Sequence, residues 1–169
     1  MILRPLKRND SIPMLEWMKD SRVNCFFRFD SQNVTIKSVT EFINSCVEDN
    51  NNYHFAIADD NDIYQGTISL KNIDIDAGTG EYAIALHYEA QGKGIGTFAT
   101  KQLLKYAFET LNLNRVYLNV LEDNINAIKL YKKCGFIFEG EFKQHIKIQG
   151  QFKNLKWYGI LKENYYANR

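Results

Sequence analysis

Gln91-Gly92-Lys93-Gly94-Ile95-Gly96-Thr97 is the stretch on which the reading of this chain turns. Just before it, Glu81-Tyr82-Ala83-Ile84-Ala85-Leu86-His87 is apolar enough for a central strand. Just after it, Ala99, Leu103, Tyr106, Ala107 and Thr110 mark the buried face of a helix over about 96–110. Three glycines in five positions leave backbone amides uncovered, and the helix N-terminus adds a positive pole. Together these make a cradle for a phosphate or pyrophosphate. The plainer alternative is a glycine-rich turn that only reverses the chain. Two other phosphate loops are tested on spacing. A P-loop needs Gly-Lys-Ser/Thr, and here Lys93 is followed by Gly94. A dinucleotide fingerprint needs its third glycine three residues after the second, and Gly96 comes two after Gly94. Glu122 or Asp123 does stand where a ribose-binding acid would, so that reading is kept as an alternative.

Working outward, residues 115–120 read as a strand and 124–133 as a helix that Gly135 ends. A strand–helix–strand crossover of this kind should be parallel and right-handed. Upstream, residues 2–6 form an edge strand, since Pro5 cannot donate to a ladder. Asp10 N-caps a helix with Pro13 in its first turn and Met14, Leu15, Trp17 and Met18 on its apolar face. A second helix starts at Ser38-Val39-Thr40-Glu41, which has capping-box spacing, and carries Val39, Phe42, Ile43, Cys46 and Val47. Between these helices lies an aromatic loop, Cys25-Phe26-Phe27-Arg28-Phe29-Asp30. Strands at 53–58 and 63–70 flank an Asp-rich turn, and late strands at 136–142 and 154–161 flank a turn at Gln149-Gly150. No repeat, low-complexity tract or linker interrupts the chain, so residues 1–169 read as a single domain of the α+β, or mixed α/β, class.

Composition narrows the function. At 169 residues the chain is long enough to bury a core without staples. Lys plus Arg is 21 against 20 Asp plus Glu, a net charge of +1 that argues against a nucleic-acid partner. No apolar run approaches the ~18 residues of a membrane span, and no signal peptide opens the chain. Three cysteines, Cys25, Cys46 and Cys134, make no disulfide framework, which suits a reducing, cytoplasmic location.

The glycine loop and the later segment Asn124-Ile125-Asn126-Ala127-Ile128-Lys129-Leu130-Tyr131-Lys132-Lys133-Cys134-Gly135-Phe136, in this order, resemble the acyl-CoA-binding motifs of the GNAT superfamily of N-acetyltransferases. Gln91, Gly94 and Gly96 fill the family's Gln/Arg-x-x-Gly-x-Gly/Ala loop. Asn124, Ala127, Leu130, Tyr131, Lys133, Gly135 and Phe136 match its later helix position by position. The opening Leu3-Arg4-Pro5-Leu6 and the segment from Gly150 to Leu161 resemble the branch of ribosomal-protein N-terminal, spermidine and nucleotide-amino-sugar acetyltransferases. The resemblance implies a mixed, mostly antiparallel twisted sheet with about four helices and splayed strands that bind acetyl-CoA. It implies that Ile84, Ala85 and Leu86 pair with the pantetheine arm, with the Leu86 amide near the thioester carbonyl. Gly92, Lys93, Gly94, Ile95, Gly96 and Thr97 would hold the pyrophosphate with their amides, beside Gln91. Asn124 would touch the pantetheine or adenosine end, and Lys133 matches the motif at the helix end. Tyr131 would protonate the departing thiolate. Read alone, Tyr131 is an ordinary buried aromatic.

The chemistry fits those roles. An amine of pKa ~10.4 is about one part in a thousand neutral near pH 7, equivalent to ~4–5 kcal/mol. A base, or a desolvated and acidified amine site, must cover that. No covalent enzyme intermediate and no metal is expected. Glu81, at the start of the central strand, is the first candidate for the base; a turn-end carboxylate without a chemical role is the alternative. His87 is the second candidate. Phe26, Phe27 and Phe29 either wall an acceptor pocket or pack beneath their loop, and Arg28 and Asp30 complete the substrate-side candidates. Spermidine enzymes of this branch carry an acid-rich stretch there, which this chain lacks. That counts against a polyamine and leaves a peptide N-terminus and a sugar-linked amine equally open, so the acceptor is expected to be a small-molecule amine or a peptide N-terminus. A homodimer through the aromatic late strands is kept open, as is a catalytically silent CoA-binding sensor or another nucleotide-binding module.

Overall fold

The computed structural model describes residues 1–46, 49 and 51–167, so Val47 lies outside it. A seven-stranded sheet runs in the order β1-β2-β3-β4-β5-β7-β6. Its strands are β1 (Ile2–Pro5), β2 (Tyr53–Ala58), β3 (Tyr64–Asp74), β4 (Thr79–Leu86), β5 (Arg115–Leu121), β6 (Ile137–Ile148) and β7 (Gln151–Leu161). Among the described residues six α-helices accompany it: α1 (Ser11–Lys19), α2 (Ser21–Asn24), α3 (Ile36–Ser45), α4 (Ile95–Lys105), α5 (Ile125–Lys133) and α6 (Lys162–Ala167). Every neighbouring pair of strands is antiparallel except β4 and β5, which the α4 crossover makes parallel.

The alternation along each strand builds two cores. On one face Ile68, Leu70, Tyr82, Val116, Leu118 and their neighbours pack beneath α4 and α5. On the other, Ala56 and Tyr64 meet Met14 and Trp17 of α1 and Val39 and Ile43 of α3. Each fully buried aliphatic side chain stabilises the fold by about 1.5–3 kcal/mol.

Several local expectations need correction. Asp10 precedes α1 but does not cap it with its side chain. Its carboxylate instead accepts from the buried Arg4 guanidinium at 2.7 and 2.8 Å and from the Lys7 N–H at 2.7 Å. The second long helix begins at Ile36, not Ser38: Thr35 is its N-cap, and Ser38, at the third helical position, reaches back to the Thr35 N–H at 3.0 Å. Helix α4 ends in a π-helical stretch, Tyr106–Thr110, in which the Leu111 N–H donates to the Tyr106 carbonyl at 3.0 Å. The wider turn buries Ala107 and Phe108, leaves Tyr106 half-buried and exposes Thr110. The short helices α2 and α6 were not expected, and β6 runs six residues past its expected end at 142, through two irregularities in its register with β7.

The feature that positions the site is a fork. β4 pairs with β3 from Gly66↔Leu86 to Asp74↔Thr79. With β5 it shares only three pairs, Thr79↔Arg115, Gly80↔Val116 and Glu81↔Tyr117. Beyond Glu81 the two strands part, while β7 holds β5 along its whole length from Arg115↔Leu161 to Leu121↔Leu155. The β5-facing backbone edge of β4 past residue 81 therefore has no strand partner.

Candidate active site

The glycine loop sits at the open end of the fork. Gly92 and Gly94 have φ of +73° and +81°, and a Cβ on either would meet nothing within 4 Å. Their glycines serve backbone conformation, and the space beside them stays open. Gly94 is the N-cap of α4 and provides no side-chain cap. Thr35 and Asn124, by contrast, cap α3 and α5 with their own oxygens. The first amides of α4 are thus left with their dipole for a ligand anion. Gly96 serves packing: a Cβ there would lie 3.1 Å from Leu130 and 3.4 Å from Leu86, so α4 closes on α5 and β4. Gln91 donates its Nε2 to the Leu86 carbonyl at 3.5 Å, which ties the loop to the end of β4. Gln91, Gly92, Lys93 and Gly94 are exposed, while Ile95 and Thr97 are half-buried.

Ile84, Ala85 and Leu86 line the unpaired edge, half-buried. Asn124 Oδ1 is engaged in its cap, accepting the Ala127 N–H at 3.3 Å, so only its amide NH2 is left for a cosubstrate. Lys133 is exposed at the end of α5.

Glu81 occupies the last paired position before the strands part. It is half-buried and accepts from Asn72 Nδ2 at 2.8 Å, with Lys71 Nζ at 3.6 Å. Tyr82, the next residue, points to the opposite face, where its hydroxyl meets Thr100 at 2.7 Å. The Tyr131 ring packs edge-on against Tyr82, with centroids 5.6 Å apart, and on Phe136 at 6.0 Å. Burial pushes the Tyr131 phenol well above its ordinary pKa, so it holds its proton at neutral pH and can serve as a donor. Glu81 and Tyr131 thus approach the apex of the fork from the two faces of the sheet.

The aromatic loop reaches the same apex. Burial lowers the Arg28 pKa although the residue is exposed by area, and the charges it feels are those of Glu81 and Tyr131. Phe27 packs edge-on against Trp17 at 5.5 Å and stacks under Phe29 at 5.0 Å, so it lies beneath the loop. Phe29, half exposed, borders a cavity of about 190 Å³ with Met18, Val34, Ser38, Val39 and Phe42. A larger recess of about 630 Å³, lined by Ile12, Leu15, Glu16, Lys19, Asp20 and Ile36, lies away from the fork. Asp30 is committed locally: it accepts from the Gln32 N–H at 2.9 Å and from Asn33 Nδ2 at 2.6 Å. His87 faces its own turn, 3.4 Å from the Glu89 N–H. The sequence reading missed Asn72, the partner of Glu81, and the side chains Tyr117 and Asn119. Alternation gave a signal for the last two: Val116, Leu118 and Val120 are buried in one core, which turns 117 and 119 to the other face.

Comparison with known proteins bears on this arrangement. The family described as "Acetyltransferase (GNAT) domain" matches residues 1–137. The chain belongs to the GNAT acetyltransferase family. It is 28% identical over 165 residues to the spermidine N(1)-acetyltransferase of Vibrio cholerae, covering 98% of this chain and 95% of the relative. The corresponding Escherichia coli enzyme is 30% identical over 165 residues, with 98% and 88% covered. The crystal structure of the Vibrio cholerae spermidine N-acetyltransferase in complex with CoA and spermine superposes with a TM-score of 0.90 at 27% identity, covering 98% of this chain and 97% of that one. This GNAT protein is therefore an N-acetyltransferase with acetyl-CoA as its cosubstrate. The uncapped α4 and the unpaired β4 edge fit a diphosphate and an extended amide-bearing arm. Among the described residues no helix is long and apolar enough to cross a membrane.

Proposed function

We propose that this GNAT enzyme acetylates a polyamine of the spermidine and spermine class. The observation that carries the reading is the apex of the fork, where a carboxylate and a protonated phenol flank the unpaired strand edge from opposite faces. The relatives named above, matched over nearly the whole chain, point to the acceptor class. The 25–30 loop has no acid-rich stretch, so the negative charge that attracts the acceptor is Glu81. The Tyr117 and Trp157 rings on the same face, 6.2 Å apart, offer cover for methylene stems.

In this reading Glu81 takes a proton from the acceptor ammonium. The neutral nitrogen attacks the thioester carbonyl, the C–N bond forms and the C–S bond breaks. Tyr131 gives its proton to the thiolate. Ile84, Ala85 and Leu86 hold the pantetheine arm, residues 91–97 the diphosphate, and Asn124 and Lys133 the flanking parts. Arg28 feels the charge of Glu81 without pairing to it and is screened when the acceptor cation arrives. The protein works in the cytoplasm; Ile137, Phe138, Phe142 and Phe152, exposed on the β6–β7 hairpin, are the face on which a homodimer would form.

The test is a panel of acceptors with acetyl-CoA fixed: spermidine, spermine, an amino sugar and a peptide with a free N-terminus. Spermidine and spermine should be acetylated at least about 10-fold more efficiently than the others. A preference for the peptide or the sugar would overturn the polyamine reading. Glu81→Gln in the same assay should lose the acid limb of the pH profile, and an unchanged profile would remove Glu81 from the mechanism.

A further inference from the structure

Two side-chain atoms in the described residues are buried without a hydrogen-bond partner, Asn119 Oδ1 and Trp157 Nε1. They belong to residues that face each other across the β5–β7 ladder, yet they do not bond one another. Their side is settled by alternation. Leu118, Val120, Tyr158 and Ile160 fill the core beneath α4 and α5, so Asn119 and Trp157 lie on the face shared by Glu81 and Tyr117. Asn119 is two residues past Tyr117, the last residue of β5 paired with β4, and so stands where the fork has just opened. An acceptor and a donor are therefore left unmatched on paired residues of one face of the sheet, next to the point where the fork opens.

We propose that Asn119 and Trp157 bind the acceptor nitrogen in its uncharged form. A neutral primary amine has both N–H groups and a lone pair. It can donate to Asn119 Oδ1 while the indole N–H donates to its lone pair. An ammonium has no lone pair; it satisfies Asn119 and leaves the buried indole N–H unmatched. The pair thus favours loss of the proton before attack, and Glu81, on the same face, receives it. On attack the lone pair leaves the indole N–H for the thioester carbon, while Asn119 keeps its hold on a remaining N–H.

This deepens the proposed function and rests on amine acetylation at the fork. The charged and titratable groups on the pair's face are Glu81, whose charge Arg28 also feels, Tyr117, the Arg115–Glu139 ion pair, and His145 behind Phe142. Phe142 packs on the Trp157 ring at 5.3 Å, a tilted contact that Trp157→Phe keeps in part.

The experiment follows kcat against pH, with spermidine and acetyl-CoA both saturating so that the profile reports the bound amine, in the wild type, Trp157→Phe and Asn119→Ala. Each variant should lose about 10-fold near pH 7, the worth of one buried hydrogen bond. The acid limb should move up by about half a pH unit or more. The deficit should narrow toward pH ~9.5, where far more of the amine is neutral without help. The Kd for acetyl-CoA should not change, Asn119→Ser should recover part of the loss, and His145→Gln should leave the limb in place. A deficit equal at every pH, or none, overturns the proposal. Should the wild type acetylate no polyamine, the polyamine reading has failed, and the same variants are judged on the peptide or sugar amine that does react.

Discussion

β4 has two edges, and they do opposite things. Its edge toward β3 is closed up to Gly66↔Leu86, and its edge toward β5 is open after Glu81↔Tyr117. The glycines show the same contrast. A Cβ on Gly66 would lie 2.4 Å from the Ala85 carbonyl oxygen, whereas one on Gly92 or Gly94 would meet nothing within 4 Å. On the closed side glycine lets two backbones touch; on the open side it lets the backbone bend around a space. One strand therefore takes its rigidity from one neighbour and leaves its backbone groups unused on the other, where the proposed function seats the acetyl-CoA arm. A ligand arm that pairs with β4 enters a groove already held straight by β3, which reduces the ordering cost of binding.

The largest effect should come from the open edge. Tyr131→Phe removes the proton donor and keeps the ring that packs on Tyr82 and Phe136. Turnover should fall about 100-fold or more, the usual scale for loss of a general acid. The Kd for acetyl-CoA, measured by titration calorimetry, and the urea midpoint should stay near wild type. Full activity would show that another group protonates the thiolate.

The closed edge should answer differently. In Gly66→Ala the new Cβ meets backbone, Ala85 O at 2.4 Å and Leu86 Cα at 2.9 Å, so a strand has to shift rather than a side chain. Overpacking of this kind costs about 1–3 kcal/mol, read as a lower urea midpoint. Because the displaced segment is the one that carries Ile84, Ala85 and Leu86, affinity for acetyl-CoA should fall with stability. An unchanged midpoint would mean that the β3–β4 contact is looser than described.

The two edges also differ in how far the sequence revealed them. The glycine loop and the Asn124–Phe136 segment are contiguous and their spacing is local, so the family they carry was readable. The parallel β4–β5 crossover followed from strand–helix–strand order. The apex was not readable, because it depends on where two strands separated by a helix stop pairing. No local pattern brings Glu81 to the point where β4 and β5 part, or Asn119 opposite Trp157. The missing side-chain cap of α1 and the misplaced start of α3 have the same origin. Asp10 has the composition of a cap, but Arg4, brought close by the fold, claims its carboxylate. Ser38 looks like a cap until Thr35, three residues earlier, engages it. The late strands were cut short because their exposed aromatics and register irregularities break the alternation that marks a strand.

The smallest effect separates the edges by pH. His54, on β2, belongs to the closed side: its Nδ1 meets Ser69 Oγ at 2.8 Å and its ring packs edge-on against Phe42 at 5.0 Å. Burial lowers its pKa below the ordinary 6.5, with Lys71 adding to the shift and Asp49 opposing it. As pH falls through about 6.5, the unfolded chain takes up this proton before the native one does. The stabilising effect is therefore complete above that pH and is lost as pH falls toward the native value. His54→Gln should flatten the decline in urea midpoint between about pH 7.5 and 5.5 by less than about 1 kcal/mol. It should leave the acid limb of the activity profile where it is, because His54 stands on the β2 side of the sheet, away from the fork where the amine is proposed to react. If His54→Gln moved the acid limb as well, the closed edge would be part of the proton path, and the division of labour between the two sides of β4 would not hold.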